Sequence, residues 1–234
     1  MSVTRSLRDW LCYLEETGFL KRVRREVDPT YELCAVAKKL DGRAAVLFEK
    51  VRGYSVPVVA NPYCTRELLA QTLGTDVPGI VPRFLAALSR PLPCRQVART
   101  DAPVKENVRT RDIDLAGILP VPVHHEKDGG RYITAGVLVA RHPETGVRNL
   151  SIHRLQVSGP NRLGILILPR HLWYFFQAAE RAGKPLEVAI AIGVDPITAL
   201  ASQALTPPGV DELEIASALR GEPLELVECE TVGL

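Results

Sequence analysis

A predicted strand in the second half of the sequence, Asn149-Leu-Ser-Ile-His-Arg154, carries an unusual number of polar side chains. Its composition predicts a strand, and side chains on a strand alternate between two faces. We therefore expect Asn149, Ser151 and His153 on one face and Arg154 on the other. Amide, imidazole and guanidinium groups can bind a metal ion or an anionic ligand, but they also suit a solvent-exposed edge strand. The spacing alone leaves both interpretations open.

Two predicted helices also begin with residues that could bind ligands. Arg170 and His171 precede a helix predicted over 172–182, where free backbone N–H groups favour a phosphate. Glu212 lies in the first turn of a second helix, after Asp211 as the predicted N-cap. The plainer interpretations are a structural histidine and a carboxylate that interacts favourably with the helix dipole.

Length and composition restrict the class of protein. The chain has 234 residues, of which 46% are hydrophobic and 24% charged, as in ordinary globular proteins. A net charge of +2 favours neither nucleic acid nor an anionic membrane as a partner. The five scattered cysteines predict reduced thiols and a cytoplasmic location, and no apolar run is long enough to span a membrane. We therefore expect a small-molecule partner.

The first hundred residues alternate between helical and strand patterns. Leu7, Trp10, Leu11 and Leu14 follow helical spacing, which predicts a helix that ends near Gly18. The other elements predicted in this part are helices at 31–40, 65–73 and 81–88 and strands at 44–48 and 55–59. This part is therefore expected to be a small α/β domain.

The character of the chain changes between Arg95 and Pro122, where periodicity is lost and prolines recur. We place the domain boundary in this predicted linker, which gives domains of 1–110 and 111–234. The second domain is predicted to be a mostly antiparallel sheet or barrel. Its predicted strands are 133–141, 147–157, 164–168, 188–194 and 224–231, and its predicted helices are 172–182 and 212–219.

Four motifs, in this order and spacing, resemble the UbiD family of (de)carboxylases. They are Asp128-Gly-Gly-Arg-Tyr-Ile-Thr134, Asn149-Leu-Ser-Ile-His-Arg154, Arg170-His171 and Asp211-Glu-Leu-Glu-Ile-Ala-Ser-Ala-Leu-Arg-Gly221. The segment SLRDWLCYLEETGFLKRV is similar to the first helix of that family. The resemblance therefore extends over essentially the whole chain.

The resemblance implies an α+β fold, in which an N-terminal α/β domain is followed by a split β-barrel flavin-binding domain like that of flavin reductases. It implies prenylated FMN as cofactor, supplied by a partner flavin prenyltransferase. Mn2+, and in many members K+, joins the cofactor phosphate to the protein. A homo-oligomer is also consistent with the family.

The resemblance also assigns site residues. It implies metal ligands at Asn149, His171 and Glu212, and a catalytic arginine at Arg154 that engages the substrate carboxylate. The implied cofactor-binding residues are Thr134, Ile152, His153, Arg154, Leu166, Ile167, Leu168, Arg170, His171 and Ser202.

The implied function is non-oxidative, reversible decarboxylation of an aromatic or α,β-unsaturated carboxylic acid. The family's proton donor follows a motif ending in CETVDL, and this sequence ends at Cys229-Glu-Thr-Val-Gly-Leu234. We therefore expect a truncated form, or a subunit whose partner supplies the acid. The alternatives are a non-catalytic flavin-binding or assembly protein and an FMN reductase.

Overall fold

The first part of the chain is built on a three-stranded sheet. In the computed structural model, which describes residues 5–234, β1 (Leu20–Val27) runs parallel to β2 (Ala45–Val51), and β2 pairs antiparallel with β3 (Val58–Ala60). The helices of this part are α1 (Leu7–Glu16), α2 (Glu32–Lys39), α3 (Arg66–Thr72) and α4 (Ile80–Ser89). The predicted α/β character is confirmed.

Helix α1 forms because its capping and apolar spacing agree. The Ser6 hydroxyl accepts a hydrogen bond from the backbone N–H of Asp9 and so caps the first turn. Trp10 and Leu14, one turn apart, are fully buried, and the Trp10 indole N–H donates to the carbonyl of Pro62 at 2.8 Å. The apolar spacing seen in the sequence is therefore the buried face of the helix.

Strand β1 was not predicted, because its sequence LKRVRREV lacks a continuous apolar run. Leu20 and Val27 at its ends are buried, while the charged residues between them are largely exposed. Basic side chains on an edge strand discourage pairing with other chains. Because these charged residues interrupt the apolar pattern, hydrophobic periodicity did not predict β1.

The second part contains an open four-stranded antiparallel sheet in the order β7-β6-β5-β8. The strands are β5 (Tyr132–Arg141), β6 (Arg148–Gly159), β7 (Arg162–Ile165) and β8 (Val188–Ala191). The mixed α+β class and the antiparallel sheet are confirmed. No closed barrel is found within residues 5–234, and the split β-barrel is not confirmed.

Helices cover both faces of this sheet. Leu138 of β5 packs with Leu172 and Phe175 of α6 (His171–Arg181). Its neighbour Val137, on the opposite face, packs with Leu213 of α8 (Glu212–Arg220). Buried apolar residues of α7 (Pro196–Ala201) and α8 share a further core cluster with α3 and α4, which joins the two parts of the chain.

Several predicted elements are shorter than the sequence suggested. The predicted strand at 164–168 ends at Ile165, so Leu166, Ile167 and Leu168 lie in the loop before α6. The predicted strand at 224–231 is reduced to β9 (Glu225–Leu226), which pairs with β4 (Arg95–Gln96) inside the predicted linker. The short elements of that linker are two 3-10 turns (Arg99–Asp101 and Pro103–Lys105) and α5 (Leu115–Ile118). The boundary at residue 110 stays a prediction.

Helix α7 was missed because it has six residues and no amphipathic repeat. Its start was nevertheless encoded, since Asp195 accepts hydrogen bonds from the backbone N–H groups of Ile197 and Thr198, and Pro196 occupies the first helical position. The Asp-Pro pair was the signal available in the sequence.

Gly136 should be intolerant of a side chain. A Cβ at this position would lie 2.9 Å from Leu155 Cδ1 and 3.1 Å from Ile190 Cγ2, both in the packed interior of the sheet. We expect Gly136→Ala to lower the free energy of unfolding by about 1–3 kcal/mol, measured by chemical denaturation. Gly164→Ala is the matched control in β7, because its Cβ would find its nearest neighbour at 3.8 Å. Equal stability of the two variants would contradict this packing argument.

Candidate functional site

The candidate site is centred on the carboxylate of Glu212, the first residue of α8. Its side chain is 1% exposed. One oxygen accepts the backbone N–H of Leu150 at 2.8 Å, and the other accepts the Asn149 amide at 3.2 Å and the Thr206 hydroxyl at 2.9 Å. Burial raises the pKa of Glu212, and these hydrogen bonds act in the opposite direction. The carboxylate therefore ties the start of α8 to β6.

A row of polar side chains extends from Glu212 along one face of β6. Asn149 is 5% exposed, and its carbonyl oxygen accepts the Ser151 hydroxyl at 3.3 Å. Ser151 is in turn 3.0 Å from Nε2 of His153. Burial lowers the pKa of His153, against a hydrogen bond with the Leu166 backbone that raises it. The predicted alternation of Asn149, Ser151 and His153 is thus observed.

His171 completes a group of three side chains around the carboxylate. Its Nδ1 lies 3.8 Å from Oε1 of Glu212, and about a quarter of its side chain is exposed. Asn149, His171 and Glu212 come from β6, the start of α6 and the start of α8, and the fold brings them together. No group of three or more His, Cys, Asp or Glu able to hold a metal is found in the described range 5–234. The trio here is of a different kind, because one of its members is an asparagine.

Arg154 lies on the opposite face of β6 and is exposed. The register of β5 and β6 shifts between Ile133 and Gly136, so that Thr134 and Ala135 face the single residue Arg154. Such a bulge locally increases strand twist and redirects side chains. The Arg154 guanidinium lies 5.5 Å from the centroid of the Tyr132 ring, within cation–π distance.

The remaining predicted cofactor residues differ in accessibility. Thr134, Leu166, Leu168 and Arg170 are exposed, while Ile152 and Ile167 are half-buried. Ser202 is 4% exposed and donates its hydroxyl to the carbonyl of Ala199 at 2.7 Å. Of the predicted cofactor-binding residues, Ser202 is therefore the one that this packing withholds from a ligand.

Thr206 was missed by sequence reasoning, although its hydroxyl contacts the central carboxylate. It belongs to a Pro- and Gly-rich loop before α8, where no periodic pattern marks a functional side chain. The only signal was its place six residues before Glu212. Leu150 was missed for another reason, since it contributes its backbone N–H rather than a side chain.

Two family models together match most of this α+β chain. A model of the 3-octaprenyl-4-hydroxybenzoate carboxy-lyase N-terminal domain matches residues 11–88, and a model of the Rift-related domain of the same carboxy-lyases matches residues 95–234. The chain belongs to the UbiD family.

Relatives include several decarboxylases. Anhydromevalonate phosphate decarboxylase of Methanothermobacter thermautotrophicus is 40% identical over 228 residues, which cover 97% of this chain and 52% of that protein. The chain spans about half the length of the curated relatives it matches.

Solved structures show the same likeness. The UbiD-class enzyme HmfF of Pelotomaculum thermopropionicum, in complex with FMN, is 59% identical with a TM-score of 0.96, and the match covers 98% of this chain and 52% of that one. An evolved dimeric form of HmfF was solved with prFMN. Vanillic acid decarboxylase of Sedimentibacter hydroxybenzoicus, in its closed form, is 31% identical with a TM-score of 0.94, covering 100% of this chain and 52% of that one.

Across residues 5–234, no helix is both long and apolar enough to cross a membrane.

Removing the central carboxylate should weaken the fold itself. Glu212→Ala leaves the Leu150 N–H, the Asn149 amide and the Thr206 hydroxyl without their acceptor in a buried site. We expect the free energy of unfolding to fall by about 1–3 kcal/mol, measured by urea denaturation without added metal.

Glu180→Ala serves as the control, because Glu180 is exposed on α6 and its side chain makes no hydrogen bond within residues 5–234. We expect a change of no more than about 0.5 kcal/mol for this variant. A Glu212→Ala variant as stable as the control would show that the carboxylate does not hold β6 and α8 together.

Proposed function

We propose that this chain carries the cofactor- and metal-binding part of a prenylated-FMN-dependent decarboxylase. The substrate class is an aromatic or α,β-unsaturated carboxylic acid, and the reaction is non-oxidative and reversible. The observation that carries the proposal is the convergence of Asn149, His171 and Glu212 beside the β6 segment that ends at Arg154. Membership of the UbiD family and likeness to HmfF support it.

The trio fits a divalent metal by its chemistry. It offers an imidazole nitrogen and a carboxylate oxygen, and Asn149 would add its amide oxygen by rotating the amide, whose nitrogen now donates to Glu212 while its oxygen accepts from Ser151. These are ligands that Mn2+ accepts. Within residues 5–234 the Glu212 carboxylate is buried with no lysine or arginine in contact with it, and a bound cation would offset the cost of that burial. Asn149, His171 and Glu212 would hold Mn2+, and K+ could share the cofactor phosphate.

The start of α6 suits the phosphate group of the cofactor. Helix α6 has 11 residues, and its N-terminal turn has no side-chain cap within residues 5–234. Its first N–H groups and the positive end of its dipole favour an anion, and Arg170 adds a positive charge there. A metal held by His171 would lie next to that phosphate.

Exposed apolar side chains near the site suit the ring system of a flavin. Leu166 and Leu168 are 66% and 56% exposed in the loop that follows β7. The backbone of Leu166 also contacts His153. An exposed apolar patch of this kind is a common sign of a ligand-binding surface. We assign Thr134, Ile152, His153, Ile167 and this patch to the flavin.

When bound, prenylated FMN supplies an electron sink that accepts the electron pair released as CO2 leaves. The part of the protein is to orient the substrate. Arg154 presents a guanidinium that can bind a carboxylate through two parallel hydrogen bonds, and contact with Tyr132 limits its motion. Arg154 would hold the carboxylate in position before the C–C bond breaks.

Cofactor loading tests the proposal directly. The chain is co-expressed with a flavin prenyltransferase in medium containing Mn2+, and the purified protein is analysed by mass spectrometry and metal analysis. We expect prenylated FMN and Mn2+ in similar amounts. Asn149→Ala and Glu212→Gln should each lower Mn2+ content about 10-fold or more.

Three results would count against the assignment. Protein recovered without flavin would exclude both the decarboxylase and a non-catalytic flavin carrier. Unchanged Mn2+ content in both variants would remove the metal site from this trio. Rapid NADH oxidation with unmodified FMN would favour an FMN reductase.

Arg154 should be needed for chemistry and dispensable for loading. We expect Arg154→Ala to reduce CO2 release from the preferred acid on the order of 100-fold or more, because substrate orientation is lost, while prenylated FMN content stays unchanged. CO2 release is measured with the loaded protein, including any partner subunit that supplies the proton. Arg162→Ala, which removes an exposed arginine of β7, is the control. Full activity of Arg154→Ala would refute the assigned role.

A further inference from the structure

An ion pair lies directly beside the metal-ligand trio and is not part of it. Nε of Arg148 donates to Oδ2 of Asp211 at 2.6 Å, with the two side chains 22% and 12% exposed. Arg148 is the residue before Asn149, and Asp211 is the residue before Glu212. Two successive residues of β6 therefore contact two successive residues at the start of α8.

These contacts together fix α8 against β6. The Arg148–Asp211 and Asn149–Glu212 pairs have the same sequence separation of 63 residues, and Glu212 also accepts the Leu150 N–H. A shift of the helix start along the strand would disturb all of these contacts. The charged pair has the shortest donor–acceptor distance among them, and charge-assisted hydrogen bonds are the stronger and more directional kind.

Asp211 has two separate tasks. Its Oδ1 accepts the backbone N–H of Leu213 at 2.9 Å and so caps α8, while Oδ2 receives Arg148. The cap sets the direction of the first helical turn, in which Glu212 lies. The ion pair fixes where that turn sits relative to the strand.

The apolar packing of α8 cannot fix the position of the helix along β6 with the same accuracy. Leu213, Ile215, Ala216 and Leu219 are buried and hold the helix in the core. Hydrophobic contacts are not directional, so they permit small sliding movements that a metal site does not tolerate. Arg148 also lies opposite Arg141 in the register of β5 and β6, and Asp211 offsets that repulsion.

We propose that Arg148 and Asp211 are positioning residues that set the affinity of the Asn149–His171–Glu212 trio for its metal ion. This inference rests on the proposed function. The pair touches neither metal nor substrate, and it acts by fixing Glu212 and Asn149 in register.

The test is a titration of the purified chain with MnCl2 in the presence of saturating FMN, with free Mn2+ followed by electron paramagnetic resonance. The variants are Arg148→Gln and Asp211→Asn, the latter because asparagine is as good an N-cap as aspartate. We expect each variant to raise the Kd for Mn2+ about 10- to 100-fold. The Kd of the double variant should be no higher than that of the weaker-binding single variant, since the two substitutions remove the same interaction.

Arg148→Gln separates positioning from simple charge. Removal of a positive charge near a cation site should strengthen Mn2+ binding if only electrostatics matter, whereas loss of positioning weakens it. Arg148→Lys keeps a charged donor and should restore most of the affinity. Arg22→Gln, which breaks the ion pairs of this β1 residue with Glu15 of α1 and Glu49 of β2, should leave the Kd unchanged.

Thermal denaturation of the same samples without metal completes the test. If a variant is fully folded at the titration temperature and still binds Mn2+ more weakly than the wild type, the inference is supported. An Arg148→Gln variant that binds Mn2+ as tightly as the wild type, or more tightly, overturns it while the proposed function stands. A wild-type chain that binds no Mn2+ overturns both.

Discussion

The buried carboxylate of Glu212 is the contact on which the second part of the chain depends. Strand β7 pairs with β6 only from Leu155 onward, so within residues 5–234 the earlier half of β6 has no strand partner on that side. Glu212 takes the place of that partner by accepting the Leu150 N–H. A helix terminus thereby completes a sheet edge, and the group that does so is also the strongest candidate metal ligand.

This arrangement predicts that folding stability and metal binding are coupled. A carboxylate buried in this way is costly unless it is hydrogen-bonded or neutralised, and three protein donors contact it. A bound divalent ion would use the same negative charge that the fold has already buried. Asn149 and Glu212, two of the three residues assigned to the metal, therefore join the sheet to α8 even before any ligand binds.

The sequence predicted features that depend on neighbouring residues, such as strand alternation and helix starts. It did not predict contacts between residues that are far apart in the chain. Alternation placed Asn149, Ser151 and His153 on one face, and helix-start signals located His171 and Glu212. The contact between β6 and α8 spans 63 residues and leaves no periodic trace, so the role of the Leu150 N–H could not be predicted. Thr206 is only six residues from Glu212, but it lies in a loop where no pattern marks a functional side chain. The bulge opposite Arg154 was equally hidden, because bulges arise from pairing between strands. The strand pattern predicted an antiparallel sheet or barrel, the resemblance to UbiD proteins implied a split barrel in particular, and the described sheet is open.

Asn149 and Arg154 lie on opposite faces of β6, yet both are assigned to one ligand site. Within residues 5–234, β6 has no strand partner on one side before Leu155, and this edge lets both side chains serve one site. A ligand bound to one face of the sheet could contact only one of them. A ligand that lies along the edge, beside the backbone at Ile152, could reach side chains from both faces, because an edge borders each of them. Glu212 occupies the edge at Leu150, and β7 begins to cover it at Leu155. In the proposed site, a cofactor bound along the stretch between them would have the Asn149–His171–Glu212 trio at one end and Arg154 at the other.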